Sequence, residues 1–183
     1  MERIFIVGYM GSGKTTVGKR LAKSLSLTFI DLDAYIQNRY RKAISDLFTE
    51  RGEEEFRKIE REAVREVAQF EDVVISTGGG APCFFDNMEV MNRAGTTIYI
   101  QADPEELATR LLASKNVRPL ITGKPKEELI PFITQHLAQR ERYYNRAQIV
   151  HHTARMISKE EVHLTVNALE EQLKNRKKPI NHV

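Results

Sequence analysis

A three-layer α/β fold, a mostly parallel sheet between two layers of helix, is predicted by three observations. Short β-rich runs alternate with helical spacing along the chain. A glycine-rich loop joins the first such run directly to the first helix, and no repeat or linker interrupts the pattern. This alternation implies right-handed crossovers, helices on both faces of the sheet, and ligands at the carboxyl ends of the strands.

The elements follow in order. Arg3 to Val7 is a β-rich run, and Val17 to Leu25 carries helical spacing with small and basic residues. Thr28 to Asp31 reads as a second strand. Helical segments follow through Tyr40, around Ser45 to Arg51, and from Glu53 to Gln69, the last charged and exposed on one side. Val73 to Ser76 is a short β-branched run ending in Thr77-Gly78-Gly79-Gly80, and after Pro82 a helix is expected over Asn87 to Arg93. Thr96 to Ile100 is the fourth strand. Asp103-Pro104-Glu105-Glu106 supplies an N-cap, a proline at the first helical position and a reciprocal acid, starting a helix that runs to about Ala113. From Ser114 to Lys126 the pattern lapses around Pro119, Gly123 and Pro125, which predicts a mobile loop. A long helix from about Glu127 to Asn145 and a last strand near Gln148 to His152 come next. Ser158-Lys159-Glu160-Glu161, a capping box, then opens a helix ending near Lys174.

The chain of 183 residues is long enough to bury a core as one domain, residues 1–183, without disulfides or metals. With 41% hydrophobic and 29% charged residues, and no apolar run near the roughly 20 residues of a spanning helix, neither disorder nor a membrane span is expected. The N-terminal apolar stretch Ile4 to Val7 lacks the pattern of a signal peptide, so a cytoplasmic protein is expected. The single cysteine, Cys83, cannot form an internal disulfide and reads as packing. Net charge is +3, part of it in Lys174-Asn175-Arg176-Lys177-Lys178, placed after the last helical pattern. No aromatic-interleaved basic motif points to nucleic acid. The pair His151-His152 is read as a strand end, since adjacent strand residues face opposite ways.

Gly8-Tyr9-Met10-Gly11-Ser12-Gly13-Lys14-Thr15 satisfies the phosphate-loop pattern G-x-x-x-x-G-K-[ST] between a strand and a helix. Its glycines let backbone amides wrap phosphate oxygens at the positive end of the helix. Lys14 supplies a charge that follows the β- and γ-phosphates, and the Thr15 hydroxyl is placed for Mg²⁺. Gly11, Ser12, Gly13, Lys14, Thr15 and Thr16 form the ATP-binding set. A switch-type GTPase would need an Asn-Lys-x-Asp segment, which is absent, and motors generally need a longer chain.

On the acceptor side, Phe29-Ile30-Asp31-Leu32-Asp33 places two carboxylates at the end of the second strand, where alternation would point both toward the phosphate loop. One division of labour puts Asp31 in the magnesium shell and lets Asp33 orient and deprotonate the attacking hydroxyl. Either aspartate could instead be a helix N-cap.

These two segments together resemble shikimate kinase. The later motifs occur in that family's order: Phe48-Thr49-Glu50-Arg51-Gly52-Glu53 with Phe56-Arg57 and Glu60, then Ser76 to Gly80, Val117-Arg118-Pro119-Leu120, and Arg140 with Tyr144. The resemblance covers nearly the whole chain. It implies a phosphate-loop NTPase fold with a five-stranded parallel sheet in the order 2-3-1-4-5, a substrate-binding helical segment at about residues 33–61 and a lid at about 114–126. It further implies phosphorylation of the shikimate 3-hydroxyl by MgATP, a step toward aromatic amino acids, in a cytoplasmic enzyme that is expected to be a monomer.

Shikimate carries a carboxylate and three ring hydroxyls, so its site must grip an anion and read hydroxyls. The resemblance assigns the carboxylate clamp to Arg57 and Arg140, for which a planar guanidinium suits better than lysine. Without the motif, each would read as a charge on a solvated helix face. Gly79 and Gly80 join them in the substrate site, where bare backbone lets a small molecule lie close; a flexible turn is the plainer reading of three glycines. Phe48 and Phe56 are expected beside the ring, although core packing explains them almost as well. Arg118 resembles a lid arginine that reaches the ATP phosphates on closure, which with Lys14 and Asp33 completes the catalytic set. One departure stands out. An arginine that stacks on adenine in the family sits seven residues before the lid arginine, a position held here by Leu111, with Arg110 adjacent. The rival readings are a gluconate or nucleoside monophosphate kinase, a nucleotide-binding module without catalysis, and a nucleic-acid binder.

Overall fold

The computed structural model describes residues 2–114, 125–153, 156 and 158–177. Strands β1 (Arg3–Val7), β2 (Thr28–Asp31), β3 (Val73–Ser76), β4 (Thr96–Gln101) and β5 (Ile149–His152) pair in parallel in the order β2-β3-β1-β4-β5. That is the predicted order.

Pleat alternation sorts β1 between two cores. Ile4 and Ile6 face α1 (Lys14–Ser24) and α7 (Lys159–Lys177), packing with Val17, Leu21, Val166 and Leu169. Phe5 and Val7 face the opposite layer, built from α2 (Leu32–Tyr40), α3 (Ile44–Val67), α4 (Asn87–Ala94), α5 (Pro104–Ala113) and α6 (Lys126–Tyr144). Each residue of β1 from Ile4 to Val7 is fully buried, as a central parallel strand covered on both faces requires.

Helix α3 breaks at Gly52 (φ 76°, ψ 169°), where sequence spacing had separated two segments. The Ser158 capping box forms in both directions: Glu161 N–H donates to Ser158 Oγ at 3.1 Å, and Ser158 N–H to Glu161 Oε2 at 2.8 Å.

Three expectations need correction. Asp33 is not on a strand. Asp31 ends β2 in extended conformation and its Oδ1 accepts the Ala34 amide at 3.2 Å, so the chain enters α2 at Leu32 and Asp33 lies in that helix's first turn. Asp103 starts α5 without a side-chain cap; its Oδ1 stands 3.3 Å from His152 Nε2 instead, and Pro104 sets the first turn. The basic segment placed beyond the last helix continues α7 through Lys177, where Arg176 donates to the Gln148 carbonyl and to its Oε1, both at 2.9 Å. The expected lid, with Arg118, lies largely outside the described residues.

Candidate active site

The loop after β1 turns back on itself before α1 begins, as the Ser12 amide donates to the Tyr9 carbonyl at 3.2 Å. Gly13, with φ 92°, is the left-handed residue from which α1 starts, and a Cβ there would stand 2.5 Å from Met156 Cε. Gly8 is held as closely, since its Cβ would meet the Ile100 carbonyl oxygen at 2.7 Å. Gly11, Gly13, Lys14, Thr15 and Thr16 line a cavity of about 520 Å³ at the carboxyl ends of β1, β2 and β3. Ser12 is buried and does not line it. The buried Lys14 ammonium donates to the Tyr9 carbonyl at 2.8 Å.

Asp31 and Asp33 line the same cavity. The Thr15 hydroxyl donates to Asp31 Oδ2 at 3.0 Å, which joins the two residues expected around a metal. Asp31 therefore does two jobs, capping α2 with one oxygen and facing the loop with the other.

The run after β3 is where the remaining side chains meet, one at each glycine. A Cβ on Gly78 would stand 2.8 Å from Asp33 Oδ1, one on Gly79 would lie 3.7 Å from Arg140 Nη1, and one on Gly80 would sit 2.6 Å from Arg57 Nη1. Gly78 and Gly79 line the cavity, and Gly80, Arg57 and Arg140 adjoin that glycine run without lining it. Tyr144 Oη donates to the Gly79 carbonyl at 2.6 Å, which fixes the orientation of that peptide.

Arg57 is buried on α3, not solvated. Its Nη1 donates to Glu60 at 2.8 Å and its Nη2 to Glu53 at 3.1 Å, and its guanidinium lies 4.1 Å from the centre of the Phe84 ring. Phe48 and Phe56, packed on each other with centroids 4.2 Å apart, lie 5.4 and 5.5 Å from the guanidinium, so these rings pack on the arginine as well as in the core. Glu60 is 1% exposed. Burial raises its carboxyl pKa from 4.5 to about 7, Asp33 adds to the rise, and Arg57 and Arg140 oppose it. Cys83 packs here too, and burial pushes its thiol up to about 11, far from a nucleophile's range.

Several of these residues are given no role by the sequence alone. Glu60 belongs to a motif that assigns it no role, and its three-residue spacing from Arg57 on a helix is the signal the sequence offers. Phe84 and Met156 sit in irregular segments, where periodicity says nothing. Arg110, beside the departure at Leu111, pairs with Glu106 and donates to the Gly11 and Ser12 carbonyls at 3.3 and 3.2 Å. Both Arg110 and Leu111 line the cavity. His151 and His152 end β5, and among the described residues no group of three or more His, Cys, Asp or Glu could hold a metal. No helix among them is long and apolar enough to cross a membrane.

Comparison with known proteins adds a family. A family model described as shikimate kinase matches residues 10–170. The shikimate kinase of Parabacteroides distasonis is 57% identical over 92% of this chain and 98% of its own length. The crystal structure of shikimate kinase from Bacteroides thetaiotaomicron superposes with a TM-score of 0.91 at 48% identity, covering 94% of this chain and 98% of that one. Shikimate kinase from Acinetobacter baumannii, in complex with shikimate, gives a TM-score of 0.81 at 29% identity, covering 97% of this chain and 96% of that one.

Proposed function

Given that the chain belongs to the shikimate kinase family, we propose that it transfers the γ-phosphoryl group of ATP to the 3-hydroxyl of shikimate, giving shikimate 3-phosphate and ADP. The observation that carries this reading is the convergence of Asp33, Arg140 and Arg57 on Gly78, Gly79 and Gly80 beside the phosphate loop. Two guanidiniums suit one carboxylate, bare backbone suits the close approach of a small ring, and a carboxylate lining the same cavity as the loop suits a hydroxyl nucleophile.

Lys14 follows the transferring phosphate, and Gly11, Ser12, Gly13, Thr15 and Thr16 complete the ATP contacts. Thr15 and Asp31 offer an oxygen donor set fitted to Mg²⁺, which takes few protein ligands and keeps phosphate and water for the rest. An ion held by Thr15 and Asp31 would supply charge neutralisation for the nucleotide phosphates. Asp33 orients the 3-hydroxyl and receives its proton, Arg57 and Arg140 hold the acid, and Gly79 and Gly80 accommodate it. Arg118, within the lid assigned to about residues 114–126, stabilises phosphoryl charge once substrate is bound. The whole of 1–183 acts as one cytoplasmic, monomeric domain whose acceptor segment spans about 33–61.

The test offers the purified protein MgATP with shikimate, gluconate and nucleoside monophosphates in parallel. Selective stimulation of ADP formation by shikimate is expected; equal or greater stimulation by another acceptor would refute the substrate assignment.

A further inference from the structure

Helix α6 carries three residues spaced four apart, His136, Arg140 and Tyr144, which form one stripe along its surface. The stripe touches both loops of the site. At one end, Tyr9 Oη and His136 Nδ1 share a hydrogen bond of 2.8 Å, and their rings meet edge to face with centroids 5.5 Å apart. In the middle, the Arg140 guanidinium lies over the same Tyr9 ring at 5.8 Å. At the far end, Tyr144 donates to the Gly79 carbonyl. The loops also meet each other, since a Cβ on Gly79 would stand 3.3 Å from the Met10 nitrogen and 3.4 Å from the Gly8 oxygen.

Tyr9 is the second residue of the phosphate loop, yet its side chain is 1% exposed and does not line the cavity. Its hydroxyl and ring are turned instead toward α6. We propose that Tyr9 and His136 are positioning residues for Arg140: they tie the loop that holds the nucleotide phosphates to a guanidinium that holds the acid, so that nucleotide binding tightens the grip on shikimate. The inference rests on the shikimate reading above. Phosphates that order the loop backbone fix the Tyr9 ring, and a fixed ring leaves Arg140 less conformational freedom to lose when the carboxylate arrives. The effect is reciprocal, because a coupling free energy has no direction.

Calorimetry with the full chain tests this by titrating shikimate in the absence and presence of saturating MgADP. The wild-type protein is expected to bind shikimate more tightly with MgADP. Tyr9→Phe, which keeps the ring, and His136→Leu should each reduce that tightening by about fivefold, the worth of one net hydrogen bond. The double variant should lose no more than either single one, because both remove the same bond. His136→Asn, which restores an acceptor near Nδ1, should recover part of the effect. An undiminished tightening in both single variants overturns the proposal, as does a wild-type protein that shows none. Uniform weakening of both ligands together with a lowered melting temperature would mean that the contact only supports the fold, and also overturns it. A wild-type protein that binds MgADP but not shikimate would sink the functional reading itself.

Discussion

At the residue scale, Asp33 and Glu60 are two carboxylates set apart by their surroundings. Asp33 opens onto the cavity in the first turn of α2, where the helix dipole favours a negative charge. Asp33→Asn keeps the shape and removes the base, so turnover is expected to fall by at least about a hundredfold, the usual scale of general-base removal. Near-normal turnover by steady-state assay would deny it the role. Glu60 is enclosed with Arg57, and its pKa rises from 4.5 to about 7 through burial. Between those values the folded chain keeps a proton that the unfolded chain has released. The stability this group contributes is therefore full below about pH 4.5 and lost as pH rises through about 7, with a slope of at most ~1.4 kcal/mol per pH unit. Chemical denaturation of Glu60→Gln beside the wild type should show that slope in their difference. Neither carboxylate's surroundings were legible from composition: Asp33 took its place from the cap made by Asp31, and Glu60 took its burial from the packing of α3 against the glycine run.

At the scale of elements, the glycine run decides where the acceptor machinery can stand. Gly80 has φ −83°, an ordinary backbone that any residue adopts, so its size is what counts. A Cβ there would press on the far end of Arg57, at 2.6 and 2.9 Å from Nη1 and Nη2. That end is the tip of a flexible side chain, so it can yield by a small shift within its contacts to Glu53, Glu60 and Phe84. Gly80→Ala is therefore expected to raise the shikimate KM about tenfold or more by displacing the guanidinium, with a far smaller effect on melting temperature and on the KM for ATP. Equal loss for both substrates would mean that the run supports the fold instead. Elements with periodic or capping signals were read well from sequence, as β1 to β5 and the Ser158 box illustrate. The misreadings fell at ends, where one side chain chooses among partners. Asp103 meets His152 and leaves the first turn of α5 uncapped, and Arg176 binds Gln148 while α7 runs on through Lys177.

At the scale of the whole molecule, strand order places β1, which leads into the donor loop, between β3, which leads into the acceptor run, and β4. Both loops therefore leave the same edge of the sheet side by side, and the cavity between them is a product of topology before any side chain is chosen. The phosphate loop was legible from eight residues because its spacing is local. The acceptor side draws on α2, α3, α6 and the β3 loop, residues more than a hundred positions apart, and only the ordered set of motifs foreshadowed it. Phe84, Met156 and the tie between Tyr9 and His136 were not foreshadowed at all, being contacts between segments that no local pattern joins. The claim that ties these parts together is that phosphate moves from ATP to one hydroxyl of shikimate. Phosphorus NMR of the product formed from MgATP and shikimate tests it most directly. One new phosphomonoester resonance, coupled to the proton on ring carbon 3 and growing in step with ADP, is the predicted result. Release of inorganic phosphate alone, or an ester on another hydroxyl, would contradict it.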